Sequence, residues 1–90
     1  MIRQILFDQG ETRHVQLLIK NIKGKDFKIE SAIWELKEKY GKQIEEGTCN
    51  IDNHMIDAVI SPQQAGYYLL KFTYKIQDET LVDVIEVRVE

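Results

Sequence analysis

The chain has little of what small proteins use for chemistry or for crossing membranes. Among its 90 residues there are one cysteine, one proline and two histidines. A lone Cys49 excludes an internal disulfide and a thiolate metal cluster, so the hydrophobic core alone must hold the fold. His14 and His54 fall short of the three or more converging ligands that a zinc or iron site normally takes. No apolar run approaches the roughly 20 residues that span a bilayer, and no basic stretch leads into an apolar signal segment, so the chain is expected to be non-secreted and independent of a membrane. Cations do not predominate either. Lys and Arg number 12 against 15 Asp and Glu, a formal net charge of -3, which offers no broad basic field to a nucleic acid. A glycine-rich phosphate loop, a nucleophile elbow and a metal-binding helix motif are all missing, and Gly10, Gly24, Gly41, Gly47 and Gly66 are spaced as turn residues. No catalytic, cofactor-binding or metal-binding residue is assigned, and the chain is expected not to be an enzyme.

What is present is alternation. Hydrophobic residues make up 43% and charged residues 30%, enough for one domain over residues 1–90 that buries roughly two thirds of its unfolded surface. Ile2 to Phe7 and Val15 to Ile19 are strand-like and are separated by the turn formers Asp8, Gln9, Gly10 and Glu11. A polar stretch over residues 21–26 follows, and the alternation of Phe27 and Ile29 with charges predicts a short strand over residues 27–30. Residues 31–47 carry two competing periods. As a helix, Ile33, Leu36, Tyr40 and Ile44 share a face, with Ser31 as cap and Gly47 as stop. As a hairpin, Ala32, Trp34 and Leu36 point inward, Ile33, Glu35 and Lys37 point outward, and residues 38–42 turn the chain. The hairpin is favoured, because strands flank the segment on both sides and Gly41 would cost a helix interior about 1 kcal/mol relative to alanine.

Thr48 to Ile51 and Met55 to Ile60 continue as strands about a polar turn at residues 52–54, and Pro62 stops the second of them. Tyr68, Leu70, Phe72 and Tyr74 then share one face of a long strand, with Lys71, Thr73 and Lys75 on the other. Leu81, Ile85, Val87 and Val89 share one face of the last, against Val84, Glu86, Arg88 and Glu90. Seven to eight short strands at turn-punctuated intervals predict an all-β, antiparallel two-sheet sandwich.

The stretch Gln64-Ala65-Gly66-Tyr67-Tyr68-Leu69-Leu70 is similar to the tyrosine corner of immunoglobulin-like domains, where a tyrosine hydroxyl returns to the backbone of the preceding loop. In that likeness Gly66 opens the corner, Tyr68 supplies the hydroxyl, Leu70 stands where antibody domains carry their second cysteine, and Trp34 takes the place of the core tryptophan. The structural core is accordingly expected from Trp34, Leu36, Gly66, Tyr68, Leu70 and Phe72. Both antibody cysteines are missing, and Gln64 stands where an acidic residue is often found.

A narrower likeness runs along nearly the whole chain. The initial strand pair, Phe27 to Leu36, Tyr40-Gly41-Lys42, Gly47 to Asp52, Ile60 to Tyr68 and the valine-rich close together resemble small bacteriophage or prophage immunoglobulin-like domains, such as baseplate upper protein N-terminal domains and accessory virion proteins. That resemblance implies a non-enzymatic structural or docking component in a virion or in the bacterial host cytoplasm. Its partners would be other virion or assembly proteins, or further copies of itself, and it carries over no catalytic residue.

The residues that could do something else have simpler roles to play. Asp52, His54 and Asp57 suit a solvated turn, and nothing near Cys49 in the sequence would lower its pKa. Lys20, Lys23, Lys25 and Lys28 are interrupted by Asp26 and Glu30, as on a solvated surface. Tyr40, Tyr67 and Tyr74 could stack on a sugar, which makes a carbohydrate-binding sandwich the alternative function. The two terminal strands are either closed within the domain's own sheets or open to a neighbour.

Overall fold

The computed structural model describes residues 3–20 and 26–90, and these form eight strands with no helix. They are β1 (Arg3–Phe7), β2 (Arg13–Leu18), β3 (Ser31–Glu38), β4 (Gln43–Thr48), β5 (Asn50–Asp52), β6 (Met55–Ile60), β7 (Gly66–Ile76) and β8 (Glu79–Val89). One sheet has the order β1-β8-β7-β3-β4 and the other β2-β6-β5. The result is a β-sandwich with the layer arrangement of an immunoglobulin-like domain.

Alternation puts the core between the layers. Ala32, Trp34 and Leu36 of β3, Tyr68, Leu70, Phe72 and Tyr74 of β7, and Ile85, Val87 and Val89 of β8 are buried on the inner face of the larger sheet. Val15 and Leu17 of β2 and Ile56, Ala58 and Ile60 of β6 meet them from the smaller one. Register lines up the bulk: Leu36 stands opposite Leu70, which stands opposite Ile85, and Trp34 stands opposite Phe72. Each such side chain contributes roughly 1.5–3 kcal/mol by leaving water.

Residues 31–48 form the hairpin and not the helix. Leu36 and Trp34 face the core in β3, Glu38 donates its amide to the Lys42 carbonyl at 3.1 Å, and β4 returns along β3. The helical stripe would have buried Tyr40 and Ile44, which the sheet leaves outside. Cys49 lies between β4 and β5, where the chain changes sheets. Its amide donates to the Ala32 carbonyl at 2.9 Å and its side chain is buried, so the strand expected over residues 48–51 is broken at this residue.

Three expectations need correction. The sandwich is not antiparallel throughout, because β1 pairs parallel with β8, from Arg3 opposite Ile85 to Phe7 opposite Val89. β1 and β2 are no hairpin pair. The turn at Gly10 (φ 76) carries the chain across to the other sheet, which lets both inner faces gain an apolar strand. Residues 27–30 are not a strand. Ile29 is buried and the Glu30 amide donates to the Lys75 carbonyl at 2.8 Å, but no ladder extends there, since the register that sets Ser31 opposite Lys75 leaves only Ile76 of β7 before the chain turns at Gln77 and Asp78. Ile2, Lys23 and Lys25 lie outside the described residues.

Candidate interaction surface

The corner comes first, because it sets the angle at which β7 enters the larger sheet. Tyr68 donates its hydroxyl to the Gln64 carbonyl at 2.7 Å, four residues upstream, with the ring buried beneath. Gly66 has φ +149, a conformation that L side chains rarely adopt. Trp34, Leu36, Tyr68, Leu70 and Phe72 are all buried in one core. Burial pushes the Tyr68 phenol up, with the Glu38 carboxylate adding to it.

The polar groups that could do chemistry are drawn apart. His54 stacks on Phe27 with ring centroids 4.0 Å apart, and its Nε2 lies 3.1 Å from the Phe27 carbonyl. His14 Nδ1 instead lies 2.7 Å from Asp57 Oδ2 on the outer face of the smaller sheet, while Asp57 Oδ1 is buried with no hydrogen-bond partner. Asp52, His54 and Asp57 thus do not converge, and among the described residues no three His, Cys, Asp or Glu side chains are placed to hold a metal ion. Burial, followed by the nearby Asp57 charge, pushes the Cys49 thiol up to about 11, which keeps it a protonated core side chain at neutral pH.

The outer face of the larger sheet is different. Strand pairing sets Leu6 beside Arg88 and Arg88 beside Tyr67, so three neighbouring strands present an apolar, a cationic and an aromatic side chain in one row. Leu6 is 54% exposed and Tyr67 52% exposed. The Arg88 guanidinium lies 5.6 Å from the centre of the Tyr67 ring. Next to that row the Lys39 amide donates to the Tyr67 carbonyl at 2.9 Å, which brings the β3–β4 turn over the start of β7. Lys39 Nζ donates to Glu86 Oε1 at 3.0 Å and lies 5.8 Å from the ring of Tyr40, which is 93% exposed. The hydrogen bond to Glu86, then its charge, raises the Lys39 pKa, so the ammonium stays charged. Further along the same face Ile33 and Val82 flank Thr73, and Glu35 and Val84 flank Lys71.

Of the three tyrosines weighed as stacking faces, Tyr40 and Tyr67 are exposed at one end of this sheet. Tyr74 is core, donating its hydroxyl to Asp83 at 2.7 Å. The sequence reasoning missed Leu6, Lys39 and Val82. A signal was there in the last strand, whose outward positions include two valines, Val82 and Val84, where a solvated face would carry polar groups.

No family model matches the chain, and no curated protein matches it. Among solved structures the chain is similar to an engineered protein from the Northeast Structural Genomics Consortium, with a TM-score of 0.74 at 16% identity over 99% of this chain. The chain spans 18% of the length of that protein. The likeness supports the all-β sandwich fold. No helix among the described residues is long and apolar enough to cross a membrane.

Proposed function

We propose that this chain is a non-enzymatic docking module that binds another protein through the outer face of its larger sheet. The observation that carries the reading is the row of Leu6, Arg88 and Tyr67 beside Tyr40. Solvent-facing tyrosine and arginine, here with Arg88 between Leu6 and Tyr67, are the side chains that dominate protein interfaces. The partner we propose is a structural protein of a phage or prophage virion, in a tail, baseplate or capsid. This setting rests on the sequence resemblance and places the chain in the virion or the bacterial host cytoplasm.

The test is incorporation. Particles purified from a lysogen producing this chain are expected to contain it at fixed stoichiometry. The Tyr67→Ser, Arg88→Ser double variant, folded as judged by its thermal transition, should be lost from them. Particles without the chain, or equal incorporation of the variant, would remove the reading.

The exposure of Tyr40 and Tyr67 at one end of the sheet supports one alternative, a carbohydrate-binding module that stacks both rings on a glycan. Isothermal calorimetry against a glycan panel separates the two. Saturable heat that disappears in Tyr67→Ser would favour the sugar.

A further inference from the structure

Among the described residues β8 is only half covered. Its pairing with β1 begins at Ile85, opposite Arg3, while β8 itself starts at Glu79. β7 and β8 meet in a two-residue turn at Gln77 and Asp78, with Gln77 at φ 54, so Ile76 and Glu79 close the hairpin as a hydrogen-bonded pair. Bonded and non-bonded pairs alternate from there, which directs the N–H and C=O of Thr80 and Val82 away from β7. The Glu90 amide, which has the same parity, does point that way, to the Phe7 carbonyl at 2.9 Å. Among the described residues no strand lies beside Thr80 and Val82.

Edges are normally blunted by charged side chains, above all lysine, by proline, a bulge, an inward-pointing charge, short length or a covering group. Three of the other edges, β1, β4 and β5, show such devices. Arg13 stacks on Phe7 at 4.5 Å and donates to the Leu6 carbonyl at 2.9 Å, covering β1. β4 meets β3 through a register shift at Leu36 and Lys37, and β5 is three residues long. The segment from Glu79 to Val84 has no lysine, no proline and no bulge, and its charges are the carboxylates of Glu79 and Asp83, which disfavour another acidic edge and leave a cationic strand free to add.

Its two faces have different chemistry. Thr80, Val82 and Val84 face outward, with Val82 51% exposed. Glu79 and Asp83 flank Leu81 on the opposite face, where β7 contributes Ile76, Tyr74 and Phe72 and no cation. Neither carboxylate is in an ion pair among the described residues, and Asp83, which accepts the Tyr74 hydroxyl at 2.7 Å through Oδ2, keeps its charge unneutralised. Lys71 and Lys75 lie opposite Val84 and Thr80, on the outward face.

We propose that the edge from Glu79 to Val84 receives an extended segment of a partner protein as an added strand, apolar and β-branched on one face and lysine- or arginine-bearing on the other. Backbone bonds to Thr80 and Val82 supply its affinity and the Glu79 and Asp83 carboxylates select its charge. A second copy of this chain fits poorly, since β8 edges paired with each other would bring the Glu79 and Asp83 carboxylates of both copies together.

Amide hydrogen exchange by NMR on the intact chain tests this, with a capped hexapeptide of alternating valine and lysine as probe. A peptide with glutamate in place of lysine is the control. The lysine peptide should slow exchange at Thr80 and Val82 by about tenfold near saturation, and the glutamate peptide should leave it unchanged. Val82→Pro should abolish the slowing by removing the donor at an edge position that tolerates proline. Glu79→Lys, which leaves the backbone intact, should weaken the lysine peptide and strengthen the glutamate one. No slowing with either peptide, equal slowing with both, or slowing kept in Val82→Pro would overturn the proposal. So would protection that rises with protein concentration in the absence of peptide, which would assign the edge to a second copy. Tyr67 and Arg88 are untouched by these variants, so the result is independent of the outer-face reading.

Discussion

Gly47→Ala is the substitution for which sequence logic and the structure give opposite signs. In a strand, replacing glycine by alanine removes freedom from the unfolded chain and, where the backbone permits, stabilises by about 0.4–1 kcal/mol. Gly47 stands opposite Trp34 in the β3–β4 ladder, and the indole occupies the space that a side chain would take. A Cβ built there would lie 2.7 Å from Trp34 Nε1 and 2.8 Å from both Cε2 and Cζ2. Comfortable carbon contacts are about 3.5–4.0 Å, so the ring or the strand must move by close to an ångström. The ring has little room, being buried within the core cluster. Overpacking of this kind costs about 1–3 kcal/mol, which outweighs the entropic gain. At about 4–8 °C per kcal/mol for a domain of this size, Tm should fall by several degrees or more. Trp34 is the chain's single tryptophan, so its fluorescence follows both urea and thermal unfolding at the site itself. A double-mutant cycle with Trp34→Phe, followed by circular dichroism because that variant has no tryptophan, isolates the clash, since the smaller ring should shrink the cost of Gly47→Ala. A Gly47→Ala protein as stable as the parent, or a cycle with no coupling, would refute the placement of the indole over β4.

Tyr68→Phe should lower stability by about 1 kcal/mol in urea unfolding, the net worth of one hydrogen bond, because the Gln64 carbonyl it frees lies in an exposed loop and can return to water. An unchanged midpoint would remove the corner from the account. Cys49, with its thiol pushed up to about 11, should resist a thiol reagent in the folded protein at pH 8 and react when urea is added. The same shift has a defined effect on stability. An unfolded thiol loses its proton near the ordinary model value of 9.0 while the folded one keeps it, so between pH 9 and 11 the unfolded state binds fewer protons. Stability should therefore be whole below pH 9 and decline as pH rises toward 11, and Cys49→Ala should flatten part of that decline. An equally steep decline in Cys49→Ala would assign it elsewhere, with Tyr74, whose phenol is raised by burial and then by Asp83, as the next group to test.

The placement of the exposed side chains was less legible than the fold, for a physical reason. Strand alternation is local, and Trp34, Leu36, Tyr68, Leu70 and Phe72 announce their burial by spacing alone. The tyrosine corner is also short range, its acceptor lying four positions upstream of the hydroxyl. The row of Leu6, Arg88 and Tyr67 joins residues from opposite ends of the chain through strand pairing. No window of sequence contains it. The same holds for Tyr40 and Tyr74. Both are tyrosines in strand-rich surroundings, but one sits in a turn and the other inside a sheet over which a second layer folds.

By itself the sequence determined that this is an all-β sandwich with its apolar faces turned inward, because a period of two leaves only one way to bury them. It also favoured the hairpin over the helix for residues 31–47 and marked Trp34, Leu36, Tyr68, Leu70 and Phe72 for the interior. Tertiary structure decided how the ends of the chain are used. The first strand lies parallel beside the last and not against the second. Among the described residues that pairing covers β8 only from Ile85 onward, and it creates both the outward row at Arg88 and the open edge at Val82. Parallel pairing is a long-range contact whose register depends on where the other strands have already packed, so nothing in the local pattern of residues 3–7 could specify it.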